Sequence, residues 1–137
     1  MRYNWQENLE AAIKDELEAA SFYNQLASSA PNTVIAQVLS SMAADEYGHA
    51  RILTAMIADK MTMAFPTIDP FRGRAGRDEF RRNLELALEG ELKAIAEYAE
   101  FARMATTLEQ KTIFLSIAGD EYGHARTFIT LLAGGVG

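Results

Sequence analysis

The chain has 137 residues, of which 49% are hydrophobic, and a formal net charge of −6. That is one domain's length with enough apolar side chains for a core, which excludes disorder; its acidity argues against nucleic acid as a partner. The chain has no cysteine, which excludes disulfides, thiolate metal sites and a cysteine nucleophile.

The opening Met1-Arg2-Tyr3-Asn4-Trp5-Gln6-Glu7 lacks the apolar stretch of a signal peptide, and no later run is long enough to cross a membrane. A cytoplasmic protein is expected. Leu9, Ile13, Ala20 and Ala27 then recur in steps of four and three, with Glu16 and Tyr23 in the same register. That rhythm predicts a helix packed along one face. Ser28 to Asn32 breaks it with a proline, and Asn32 is placed to cap the next helix. The second helical face reads Leu39, Met42, Glu46, His49, Leu53 and Met56.

Lys60–Arg77 carries Pro66, Pro70, Gly73 and Gly76 and cannot be one regular element. Its Met61, Met63, Phe65 and Phe71 call for burial against the helices or against a second subunit. A third face follows at Leu84, Leu88, Glu91, Ile95 and Tyr98, and a fourth at Phe114, Ile117, Glu121, His124, Phe128 and Leu131. Thr107 with Gln110 has the form of a capping box opening the fourth helix.

The heptapeptide DEYGHAR occurs at Asp45–Arg51 and again at Asp120–Arg126. A shift of 75 residues also lays Asn8-Leu9-Glu10 on Asn83-Leu84-Glu85, and Glu16 and Tyr23 on Glu91 and Tyr98. The chain is thus a single domain, 1–137, made of two repeats at about 8–58 and 83–133, each a helical hairpin. Two hairpins joined by a long crossover predict an all-α fold, an up-down-down-up four-helix bundle. The bundle closes within one chain or by exchange of a hairpin between two chains, and a homodimer is expected.

Glu16, Glu46, His49, Glu91, Glu121 and His124 all fall on core positions. Buried carboxylates cost several kcal/mol each unless compensated. Two histidines cannot neutralise four glutamates, whereas two divalent cations balance them. The levels agree: Glu16 lies 14 residues before a turn near residue 30, and Glu46 lies 16 after it. Glu and His at i and i+3 share a helix face. One Glu from each of two helices, with Glu-x-x-His from each of the others, is the ligand set of di-metal carboxylate bundles.

Taken together, Glu16 with Tyr23, Asp45-Glu46-x-x-His49, Glu91 with Tyr98, and Asp120-Glu121-x-x-His124 resemble the ferritin-like di-iron carboxylate superfamily, in its rubrerythrin and bacterioferritin branches. The resemblance implies two iron ions held by the six Glu and His residues, with manganese a cation of the same ligand preference. It implies that Asp45 and Asp120 each accept a hydrogen bond from the ligand histidine of the other hairpin. It gives Tyr23 and Tyr98 a hydrogen bond to a ligand carboxylate, with simple core filling the alternative. The activity it implies is reduction of hydrogen peroxide or O2, with electrons from a separate donor protein because no cysteine-ligated module is present. An iron-binding or ferroxidase protein of storage type is the alternative, with a manganese catalase-like enzyme or a purely structural metal role beyond it. Ala94 stands where familiar rubrerythrins carry a further glutamate, and Tyr47 stands where bacterioferritin has its haem-ligating methionine, so no haem is expected.

Gly48 and Gly123 interrupt the helical pattern, which predicts a neighbour pressed close to the backbone, with an opening for substrate the alternative. Tyr47 and Tyr122 are expected to pack rather than to serve the site. Glu10, Glu18, Glu85, Glu97 and Glu100 fall off the core register, with Glu97 a candidate for an additional ligand. Arg72, Arg74, Arg77, Arg81 and Arg82 form a basic cluster, expected as a solvated loop and helix start or as a dock for an acidic electron donor.

Overall fold

The computed structural model describes residues 4–57 and 76–134. They form four helices and, among the described residues, no strand: α1 (Trp5–Ser28), α2 (Thr33–Ala55), α3 (Arg77–Met104) and α4 (Leu108–Ala133). The chain divides into two compact units, Met1–Arg74 and Ala75–Gly137, each containing one of the two sequence repeats. None of the described helices is long and apolar enough to cross a membrane.

In the first unit, the Asn4 side chain accepts from the Glu7 N–H at 3.0 Å, closing the start of α1. The helix ends at Ser28, whose hydroxyl turns back to the Gln25 carbonyl at 2.7 Å. Asn32 caps α2 as expected, accepting from the Ile35 N–H at 2.9 Å. Leu9, Ile13, Ala20, Leu26 and Ala27 of α1 are buried, as are Leu39, Met42, Ala43, Ala50 and Leu53 of α2. The four-three rhythm therefore does mark the inner faces.

The second unit has the same hairpin plan and a bulkier core. Phe80, Leu84, Phe101, Phe114, Ile117 and Phe128 are buried. The Phe101 ring lies 5.4 Å from that of Phe114 and 5.7 Å, edge-on, from Tyr98, the tilted geometry that aromatic quadrupoles favour. No side chain caps α3 at Gly76, but Asp78 and Glu79 lie in its first turn, where the helix dipole favours acids. Arg81 ties the hairpin's open end: its Nη1 donates to the Leu132 carbonyl at 3.0 Å near the end of α4. Thr107 caps α4 by accepting from the Gln110 N–H at 3.1 Å. The box is not reciprocal, because the Gln110 side chain reaches one residue further back and accepts from the Thr106 N–H at 3.3 Å.

Of the expected crossover, only Gly76 and Arg77 are described, as the cap and first residue of α3. The burial expected for Met61, Met63, Phe65 and Phe71, and the basic residues Arg72 and Arg74, lie outside the described residues.

Candidate metal centre

Each hairpin brings its three acidic and imidazole groups together. In the first, Glu16 arrives from α1 and Glu46 and His49 from α2, and all three are buried, at 3%, 1% and 3% exposure. His49 Nδ1 stands 3.3 Å from Glu16 Oε2 and 4.0 Å from Glu46 Oε2. In the second hairpin, His124 Nδ1 stands 3.3 Å from Glu91 Oε1 and 3.7 Å from Glu121 Oε1. Glu91, Glu121 and His124 are equally buried. The level arithmetic thus holds within each hairpin.

The donor chemistry of each set fits a divalent cation. One oxygen each from Glu16 and Glu46 and one nitrogen of His49 lie within 4.8 Å of one another, as do the corresponding atoms of Glu91, Glu121 and His124. Ligands on one ion at about 2.0–2.2 Å sit up to about 4 Å apart, so small side-chain rotations close each set. Two carboxylates and a neutral imidazole carry a charge that one dication balances, which offsets the cost of burying them. In both hairpins Nδ1 faces the carboxylates. A ligating histidine then keeps its proton on Nε2.

The flanking residues divide. Tyr23 and Tyr98 are buried, at 3% and 2% exposure. Asp45 and Asp120 are exposed. Glu97 is half-exposed and paired with Lys93 at 3.9 Å, a surface ion pair rather than part of the clustered donors. Glu10, Glu18, Glu85 and Glu100 also lie off the buried faces, and Glu100 is held below the usual carboxylate range by its hydrogen bond to Arg103.

Two expectations are corrected. Among the described residues, and apart from its chain neighbours and the helix's own nearby backbone, no atom lies within 4 Å of a Cβ built on Gly48 or Gly123, so none of them is the close neighbour expected at either glycine. Tyr122 is 58% exposed and does not pack as expected. Tyr47 differs from its repeat partner. It is half-buried, and its hydroxyl accepts from Asn24 Nδ2 at 3.3 Å. Burial pushes the Tyr47 hydroxyl's pKa up, and the Asn24 hydrogen bond draws it part of the way back. Asn24, 2% exposed, was not singled out in the sequence. The signal lay in the repeat: position 24 is Asn where position 99 is Ala.

The Rubrerythrin family profile matches residues 7–65 and 82–135, both repeats and so most of the chain. The chain belongs to the rubrerythrin family. No curated protein matches this rubrerythrin-family sequence. Among solved structures it is similar to a hypothetical protein from Pyrococcus furiosus, with a TM-score of 0.81 and 22% identity over 96% of this chain and 89% of that one. At that identity the likeness shows the fold, the all-α four-helix bundle class expected from the two repeats.

Proposed function

We propose that this rubrerythrin-family protein is a di-iron carboxylate oxidoreductase that reduces hydrogen peroxide. The observation that carries the reading is the repeated geometry of histidine Nδ1 against two buried carboxylates, with Glu16, Glu46 and His49 in one hairpin and Glu91, Glu121 and His124 in the other. Each hairpin supplies the ligands of one ion. Iron held by both sets would supply the two electrons that reduction of one peroxide to two waters consumes, with two protons taken from solvent. The chain's own residues hold the anionic carboxylates and the Nδ1 lone pairs ready. Their burial keeps bulk water from competing. Electrons return from a separate donor, an acidic protein seated near the basic start of α3 or a small reductant, in a cytoplasmic setting.

A second reading, a ferroxidase of storage type, is favoured by one feature. Ala94 offers no further carboxylate one turn after Glu91, and Glu97 is paired with Lys93 at 3.9 Å, leaving a ligand set matched between the repeats. Anaerobic loading with Fe(II), followed by repeated additions of hydrogen peroxide as the oxidant, separates the two. The peroxidase oxidises two Fe(II) per peroxide, stops at two metals per chain and turns over repeatedly with an added electron donor. A storage protein goes on taking up iron well beyond that loading. Peroxide loss with oxygen release and no donor would instead point to catalase-type disproportionation.

A further inference from the structure

The two copies of DEYGHAR meet different neighbours. In the first hairpin Tyr47 directly follows Glu46, and its hydroxyl accepts from Asn24 Nδ2 of α1 at 3.3 Å. Asn24 is buried. In the second hairpin Tyr122 directly follows Glu121 and is exposed, and Ala99 takes the place of Asn24. A buried amide costs stability unless its donors are met. An asparagine on the inner face of one repeat therefore calls for a role that the shared hairpin plan does not supply.

The contact runs diagonally. The two helices of the hairpin are antiparallel, and at 1.5 Å per residue the backbones of Asn24 and Tyr47 stand about 9 Å further apart along the axis than those of Glu16 and His49. Side chains lean toward the N-terminus of their own helix. Asn24 thus leans away from the turn and Tyr47 toward it, and together they close the gap. A contact between level residues changes little in length when two helices slide, whereas a diagonal one changes at once. The second hairpin locks its helices otherwise. There Phe101 of α3 lies 5.4 Å from Phe114 of α4 and 5.7 Å, edge-on, from Tyr98. Leu26 and Leu39 hold the places of Phe101 and Phe114 in the first repeat, both buried, and aliphatic side chains impose no ring geometry on each other.

We propose that Asn24 and Tyr47 are positioning residues for the first metal set, their hydrogen bond bracing α2 against α1 so that Glu46 stays beside Glu16 before a divalent cation arrives. The inference rests on the ligand reading given above. Without metal, two buried carboxylates repel each other, and a hairpin free to slide lowers that repulsion by parting them. An arriving cation then has to draw the helices back, and its affinity falls by the cost of doing so. The brace is attached one residue from Glu46, where a slide of α2 displaces the ligand directly. The second set, whose tyrosine is exposed, depends on the aromatic lock instead.

Titration of the metal-free full chain with Co(II), read by calorimetry and by the visible absorption of the bound ion, tests this. Glu91→Gln with His124→Gln leaves the first set to report alone, and Glu16→Gln with His49→Gln leaves the second. Tyr47→Phe should weaken binding at the first set by about five- to tenfold and leave the second unchanged, while Tyr122→Phe alters neither. In the chain with both sets intact the same loss should fall on one of two binding steps, with helical circular dichroism retained. Asn24→Ala should weaken the first set alike, and adding it to Tyr47→Phe should weaken that set no further, because each removes the same bond. Equal losses at both sets would mark a general loss of stability and overturn the brace, as would unchanged affinity at the first. Absence of Co(II) binding at either set in the unsubstituted chain would overturn the ligand reading and the brace with it. Peroxide turnover does not enter the readout, so failure of the proposed activity is seen separately.

Discussion

His49 on α2 and Glu16 on α1, 33 positions apart in the chain, bring Nδ1 and Oε2 within 3.3 Å of each other, both almost fully buried. His124 and Glu91 repeat the relationship at the same distance in the second hairpin. Two groups that ordinarily seek water are thus held in apolar surroundings at a common height, twice. The duplication sets the terms on which the site can be tested.

Metal content is the first test. Purified protein should hold close to two metals per chain, one for each Glu, Glu and His set. Glu46→Ala combined with Glu121→Ala should abolish loading, because it removes from each hairpin a carboxylate that shares its helix face with the histidine. Elemental analysis after dialysis measures this. Full retention in the double variant would remove the ligand assignment.

Metal removal should lower stability, and acid should erase the difference. An ion that binds only the folded chain stabilises it by about 2.7 kcal/mol at a hundredfold excess over its Kd. Carboxylate and imidazole ligands must be deprotonated to bind, so protons compete with the metal as the pH falls. The gain in Tm on adding metal should therefore be largest near neutrality and shrink steadily toward pH 5, as followed by calorimetry. A gain unchanged over that range would place the metal elsewhere.

Removing the two repeat-related tyrosine hydroxyls should have unequal effects. Tyr47→Phe leaves the buried Asn24 amide without its acceptor and should cost about 1 kcal/mol. Tyr122→Phe alters a side chain that is 58% exposed and should leave chemical denaturation unchanged within error. Equal losses at both positions would contradict the Asn24–Tyr47 contact.

Gly48→Ala and Gly90→Ala should stabilise. Both glycines lie inside helices, and among the described residues an added Cβ meets nothing within 4 Å at either. Alanine should therefore recover up to about 1 kcal/mol of helix propensity without a clash. A lowered Tm in both variants would show that something not seen in the hairpins presses on these positions.

The sequence by itself determined the four helices, the Asn32 and Thr107 caps, and which six charged residues lie on the buried faces. It did so because helical periodicity is a property of residue order: steps of three and four assign Glu16 or His124 to a face whatever surrounds it, and the repeat states that assignment twice. Tertiary structure decided what periodicity cannot carry. It turned Nδ1 of both histidines toward the carboxylates, joined Asn24 to Tyr47, brought none of the described residues against Gly48 or Gly123 where contact was expected, and exposed Tyr122. Rotamers and cross-helix neighbours are fixed by the side chains of the facing helix, and two identical heptapeptides acquire different surroundings when the helix opposite offers asparagine in one hairpin and alanine in the other.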